Sequence, residues 1–326
     1  MAPRPASWRW LGRFWLGLLL VCAIGGTTLY ILGPLPHPAA SRVPVPAPLT
    51  AAAVAPPVWD GHIKGPDPTL LEASAAFPLT FLPRIAADGR LPRLAYRRPT
   101  PPAGIRPRIA LVVAGFGLSA ADSRAAIDAL PGAVTLAFSA YTPNSEALAE
   151  AARARGHELL ASLPMESDGY PWNDAGPRSL LTGAPTAANR ENLEWAMGRL
   201  RGYVGLTGAS DGLRGEQFAA QASSFSLVFD ELARRGLLYV DPRPDAPPPR
   251  IAGRSVDLVV DDPATRAEIE AKLLALERTA REHGSALGLA GPLRPVTVEH
   301  IVAWARDIEA RGFELVPVSA LVMKAK

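Results

Sequence analysis

The chain has 326 residues, 48% of them hydrophobic, with 34 prolines and a single cysteine, Cys22. That length and apolar content supply a core for one large domain or two ordinary ones, and a lone cysteine excludes a disulfide framework or a multi-cysteine metal site. The net charge of +3 divides unevenly: residues 1–107 carry 11 Lys+Arg against 4 Asp+Glu, and residues 108–326 carry 23 against 27, so the folded part is mildly acidic and offers no basic face to nucleic acid.

At the start of the chain Arg4, Arg9 and Arg13 precede an uncharged, largely apolar run over 14–32, with Trp8, Trp10 and Trp15 near its beginning and Tyr30 near its end. At about 1.5 Å per residue such a run just crosses a hydrocarbon core of about 30 Å. Basic residues on the N-terminal side hold that end in the cytoplasm and send the rest outward. A cleaved signal peptide shares the basic and apolar regions, but the length of the run and the lack of an A-x-A site favour an uncleaved anchor. Val21 before Cys22 is not the small residue that lipid attachment wants. Residues 33–107 contain 17 of the prolines and no sustained period, which reads as a Pro/Ala-rich tether with an ordered lead-in from about residue 82.

From Arg108 the pattern changes. The apolar run RIALVVAGFG ends in two glycines and opens into a helix capped by Ser119, as a strand buried on both faces would. Strands are expected over 133–139, 157–164, 203–207, 237–241, 256–260, 285–290 and 314–319. Helices are expected after Ser119, after Asn144, and over 186–200, a stretch ending at Arg235, 263–283 and 296–311. This alternation is the signature of a (β/α) barrel or a large doubly wound sheet, whose ligands sit at the carboxyl ends of the strands.

Those ends carry several candidates. Glu166, Asp168 and Asp174 follow the third strand, Asp211 the fourth, and Asp241 ends the fifth, where acid/base groups collect; the competing reading is that such residues cap helices and make turns. Tyr170, Trp172, Asn173 and Asp174 pair aromatic faces with polar acceptors, which suits a sugar ring, or else plugs the barrel mouth. Gly115-x-Gly117-x-x-Ala120 fits a dinucleotide turn, but the tip of strand two, Ser139-Ala140-Tyr141-Thr142, lacks the acid that would hold the ribose. His37, His62, His157, His283 and His300 show no zinc spacing, and His157 lies at the wrong end of its strand.

The ordered run of RPRIALVVAGFGLS, GHELLASLPMES, GYPWNDAGPRSLLTG, GSALGLAG and EARGFELVPVSAL, within residues 82–321, resembles the divergent polysaccharide deacetylases of bacterial envelopes. The resemblance implies an irregular NodB-like (β/α) barrel of about seven strands over 108–326. With the basic start and the apolar run over 14–32, the expectation is an inner-membrane protein with its C-terminal domain in the periplasm and an envelope polysaccharide or peptidoglycan glycan as partner. It further implies a divalent metal and, if the chain is active, hydrolysis of the carbon–nitrogen bond of an N-acetyl sugar. The departures matter. Ala114-Gly115 stands where the deacetylases carry an Asp-Asp pair, Gly208-Ala209-Ser210 where many relatives have a histidine, and Ala290-Gly291-Pro292 where they have glycine-histidine-proline. Deacetylation needs a Lewis acid and a base. Glu166 or Asp241 would serve as the base, with Tyr170, Trp172, Asn173, Asp174 and Asp211 touching substrate, but the usual metal ligands are missing. The expectation is weak or absent deacetylase activity, with a non-catalytic glycan-binding or scaffolding role as the alternative.

Overall fold

The computed structural model describes residues 61–322. The expected anchor over 14–32 and most of the tether lie outside the described residues, and among the described residues no helix is long and apolar enough to cross a membrane. Regular structure begins before the expected lead-in, with an antiparallel hairpin of β1 (Leu71–Ala73) and β2 (Phe81–Pro83), followed by the short helix α1 (Pro92–Ala95).

Strands and helices then alternate in the expected order. They are β3 (Arg108–Phe116), α2 (Ala120–Ala129), β4 (Thr135–Phe138), α3 (Ser145–Ala154), β5 (Leu159–Ser162), α4 (Thr186–Met197) and β6 (Gly205–Thr207). There follow α5 (Glu216–Ala220), α6 (Ala222–Arg235), β7 (Leu238–Asp241), β8 (Gly253–Ser255), β9 (Leu258–Val259), α7 (Arg266–His283), β10 (Ser285–Ala290), α8 (Pro295–Arg306) and β11 (Glu314–Leu315). Ser119 caps α2 by accepting from the Asp122 amide. Asn144 precedes α3 in the left-handed conformation and makes no side-chain cap, contrary to its expected role.

The strands run in the order β8-β7-β6-β5-β4-β3-β10-β9, all parallel. β10 pairs with β3 from Arg108 to Val113, whereas β4 joins the other edge only at Val112. β11 takes the lower part of that edge, at Arg108 and Ile109, so the sheet has nine strands and not about seven.

The strand expected over 256–260 is confined to β9, Leu258–Val259, and a separate strand, β8, precedes it at Gly253–Ser255. Val256 donates to the Asp241 carbonyl (3.0 Å) and the next residue, Asp257, donates to the Leu287 carbonyl (2.8 Å). The chain thus crosses directly from β7 to β10 and joins the two ends of the strand order through its own backbone, which is why a single apolar run is divided there.

Period-two alternation builds two cores. Ile109, Leu111 and Val113 face the helices with Leu136, Leu159 and Leu206, while Ala110, Val112 and Ala114 face the interior with Leu160, Val240, Leu287 and Leu289. The amino-end of the barrel is filled by the lead-in and the C-terminal segment, through Ile63, Leu70, Tyr96 and Val318. The lead-in is held by Arg235, which is buried, and whose guanidinium donates to Glu72 (2.7 Å) and to the Pro83 carbonyl (2.6 Å). Replacing it with alanine leaves that carbonyl without its donor and takes from Glu231 one of the two arginines that bond it. Arg235→Ala is expected to lower unfolding free energy by about 2 kcal/mol in urea titration.

Candidate functional site

At the carboxyl ends of the strands, where the barrel should open, loops approach the tip of β3 closely. Gly115 and Gly117 at the tip of β3 both adopt φ +92°, and the β3–β4 register shifts between Ala114 and Phe116. These glycines are required by close approach as well as by backbone angle. A Cβ on Gly115 would stand 2.7 Å from the Leu293 amide nitrogen, and one on Gly117 would overlap the Thr142 side chain. Above the tip, Gly212 from the β6 loop packs against Pro292 from the β10 loop. The remaining cavity, lined by Ala114, Ala209, Gly212, Arg214, Leu289 and Gly291, measures about 10 Å³. That holds at most one water molecule.

The covering loops are fixed by paired charges. Asp261, at the end of β9, accepts from the Gly291 amide (3.0 Å) and from the Thr297 hydroxyl (3.0 Å), with Arg294 3.7 Å away. Burial pushes its carboxyl above the usual range against the pull of those donors. Arg214 bridges Glu216 (3.1 Å) and Asp262 (3.2 Å), tying the β6 loop to the end of β9.

The predicted acids do not converge. Asp241 is buried, but Leu238 and Val240 face the interior, so alternation turns Asp241 the other way. Its two oxygens are taken by the Arg243 guanidinium at 2.9 and 2.7 Å. Glu166 is also buried and accepts from the amide and hydroxyl of Thr182, the latter at 2.8 Å, so it fastens the long β5 loop. Neither is placed to serve as a general base for a substrate at the strand tips. Asp211 is exposed, in a left-handed turn at φ +48°. Asp174 is exposed and caps the Gly176 amide (2.9 Å), while Asp168 is exposed and its carbonyl accepts from the Asn173 amide group (3.0 Å). Asp211 thus sits in a turn and Asp174 holds the Gly176 amide.

The aromatic loop behaves differently. Tyr170 and Trp172 do not plug the mouth: Tyr170 is 38% exposed and Trp172 93%. The loop carrying them is braced by the Ser167 hydroxyl donating to the Asn173 carbonyl (2.6 Å) and by the Asn173–Asp168 bond. Its far side rests on Tyr141, whose hydroxyl accepts from the Arg178 amide (3.1 Å). The indole is presented to solvent by a fixed scaffold.

A metal centre does not fit these residues. Among the described residues no group of three or more His, Cys, Asp or Glu could hold an ion. Ala114 and Gly115 supply no donor at the tip, and the nearby carboxylates of Asp241, Asp261 and Asp262 already face arginines. His157, at the start of β5, is buried and its ring nitrogens face the Val134 and Ile127 carbonyls; burial lowers its pKa. Sequence reading missed Asp261 and Asp262 because the strand before them was drawn as one run; an Asp-Asp pair at a strand end was the available signal. Arg214, Arg243 and Thr182 have no signal of their own, since their roles exist only through partners in space.

The family described as divergent polysaccharide deacetylase matches residues 111–322. A crystal structure of an uncharacterized protein from Agrobacterium tumefaciens C58 superposes with a TM-score of 0.70 at 35% identity, covering 75% of this chain and all of that one. An uncharacterized protein of Haemophilus influenzae is 24% identical over 212 residues, 62% of this chain and 72% of its own length. The catalytic domain of a peptidoglycan N-acetylglucosamine deacetylase from Eubacterium rectale ATCC 33656 gives a TM-score of 0.43 at 13% identity, over 71% of this chain and 96% of that one, a distance at which the likeness carries no argument.

Proposed function

The chain belongs to the divergent polysaccharide deacetylase family, and from that premise we propose that it is a non-catalytic member which binds envelope glycan or scaffolds proteins on it. The observation that carries this reading is the strand tip itself, where Ala114 and Gly115 offer no carboxylate and the adjoining cavity measures only about 10 Å³. The expected hydrolysis of N-acetyl sugars would require a base and a Lewis acid at that point.

Glycan contact falls instead to the braced loop of Tyr170, Trp172, Asn173 and Asp174. An exposed indole offers a flat apolar surface to a pyranose ring, and side-chain amides and carboxylates beside it accept from hydroxyls. The anchor over 14–32 and the Pro-rich stretch after it would hold this face in the periplasm, away from the inner membrane; Arg4, Arg9 and Arg13 before the apolar run support that orientation.

The test uses the full-length protein with chitooligosaccharides and peptidoglycan fragments, followed by calorimetry in the presence of chelator. Binding should survive chelation and weaken at least about tenfold in Trp172→Ala. Because the side chain is exposed, the same variant should unfold within about 0.5 kcal/mol of the parent. Release of acetate by protein containing stoichiometric zinc or nickel would overturn the proposal.

A further inference from the structure

The chain enters the described domain at the amino end of the barrel. The Ile63 amide donates to the Arg153 carbonyl (3.0 Å) at the close of α3, and the Ile63 side chain is buried in one core with Leu70, Tyr96 and Val318. From α1 onward the chain crosses that end as a strap. The Arg93 amide donates to the Gly236 carbonyl (3.3 Å) before β7, and the Arg98 amide to Glu158 (2.8 Å) before β5. At the start of β3 the Arg108 guanidinium donates to the Pro101 carbonyl (2.7 Å).

The strap has two sides. Pro92 and Tyr96 are buried under the barrel, and the Tyr96 hydroxyl accepts from the Asp67 amide (2.9 Å). Leu94 is half-exposed, residues 101–106 are exposed throughout, and Ile105 is fully so. Ile85, also exposed, packs beside Leu91 and Pro92 over Gly236. Single aliphatic side chains therefore project from the outer side, and no described residue covers them.

Charge in this lead-in is unanswered. Its acids are spent, Asp67 and Asp88 on Arg90 (both 2.7 Å) and Glu72 on Arg235 (2.7 Å). Among the described residues Lys64, Arg84, Arg93, Arg97 and Arg106 have no carboxylate at ion-pair distance. Arg93 is half-buried, and burial lowers its pKa with no acid to restore it. Around the C-terminal ends of α7 and α8, which reach the same end of the barrel, charges are mixed: Arg281 and Arg306 stand against Glu282, Asp307 and Glu309. The cationic surface is thus the lead-in itself.

Unpaired cations beside single aliphatic side chains suit a fluid anionic surface, where charge meets phosphate and the aliphatic groups enter the headgroup layer. The point of entry says which surface. Residues 33–60 lead from the apolar run over 14–32 to this end of the domain. We propose that the amino end of the barrel rests, through the lead-in, on the anionic lipid headgroups of the membrane that holds the apolar run. This extends the anchored glycan-binding reading and rests on its anchor. It stands the barrel upright, so that the loop of Tyr170 and Trp172, beyond the carboxyl end of β5, points away from the bilayer.

The test uses the full-length protein with Cys22→Ser and a single nitroxide on Ile105→Cys. It is placed in lipid nanodiscs of phosphatidylcholine alone or of phosphatidylcholine with phosphatidylglycerol. Collision of the nitroxide with a water-soluble nickel chelate should be at least about threefold lower in the anionic discs. A nitroxide on Leu118→Cys, at the carboxyl end of β3, should show no difference between them. Arg97→Glu with Arg106→Glu should abolish the fall at Ile105, and about 0.5 M sodium chloride should do the same to the parent. If the double variant fails to fold, the salt series decides. Retention in both discs with equal collision at Ile105 overturns the proposal and leaves the anchor reading standing. A protein that enters neither disc overturns both. A fall at Leu118 in place of Ile105, or one at Ile105 that survives both charge reversal and salt, also overturns the proposal.

Discussion

Gly115→Asp is expected to lower the unfolding free energy by about 4 kcal/mol or more and to restore no hydrolysis. Three costs combine at one atom. A side chain at φ +92° carries a left-handed backbone penalty of about 1–2 kcal/mol. The new Cβ would lie 2.7 Å from a backbone nitrogen, that of Leu293, so the β10 loop must move. A carboxylate placed there is taken out of water, costing at least about 1–3 kcal/mol more. Urea unfolding of Gly115→Asp and of the Ala114→Asp/Gly115→Asp pair measures the stability, and acetate release from N-acetyl sugar oligomers measures the chemistry. A folded double variant that takes up zinc stoichiometrically and releases acetate would show that the β10 loop yields readily, and would sink the non-catalytic reading.

The second large effect concerns pH. Glu158 is fully buried at the amino end of β5, and its carboxylate accepts from the Arg98 amide (2.8 Å), the Ser319 amide (3.2 Å) and the Ser319 hydroxyl. Burial outweighs those donors and raises its pKa from 4.5 to about 7. A raised pKa means that the folded state holds the proton more tightly than the unfolded one. Its contribution is therefore fully present below about pH 4.5 and is lost as pH rises to about 7, over which the shift corresponds to about 3 kcal/mol. His157 acts in the opposite sense, because its lowered pKa favours the neutral ring and costs stability as pH falls through and below 6.5. The comparison must accordingly be between the parent and Glu158→Gln. The difference in unfolding free energy between them should change by up to about 3 kcal/mol between pH 4.5 and 7.5, moving in favour of Gln at the higher pH. A constant difference across that range would refute the assignment.

The fold was legible in the sequence wherever an element is long and apolar. β3, the strand most deeply enclosed, reads as RIALVVAGF without ambiguity, and β10 matches its expected bounds. The reading failed where pairing is decided by neighbours. GRS at β8 has no strand propensity to speak of and pairs because β7 offers an edge; the strand expected over 314–319 pairs only at EL, where it fills the edge left by β4. α8 stops at Arg306 because the expected continuation to Arg311 is replaced by turns. At the site, what could be read was absence: Ala114 and Gly115 in place of acids. What could not be read was occupancy. Nothing in the chain of letters says that Gly212 meets Pro292, or that Asp241 turns to Arg243 and away from the interior.

β11 sets a condition on how the domain is made. It completes β3, the first strand of the barrel, with residues that the ribosome adds about two hundred positions later, and Ser319 then reaches Glu158 from the same late segment. Contacts of such wide sequence separation are slow to close. A nascent chain that has emerged only through β10 therefore shows an unfilled edge at Arg108 and Ile109 and an unanswered carboxyl at Glu158. The barrel is committed only when its final residues arrive, so a chain cut short a few residues before Glu314 should be recognised by proteases as unfinished throughout, not merely as frayed at its end.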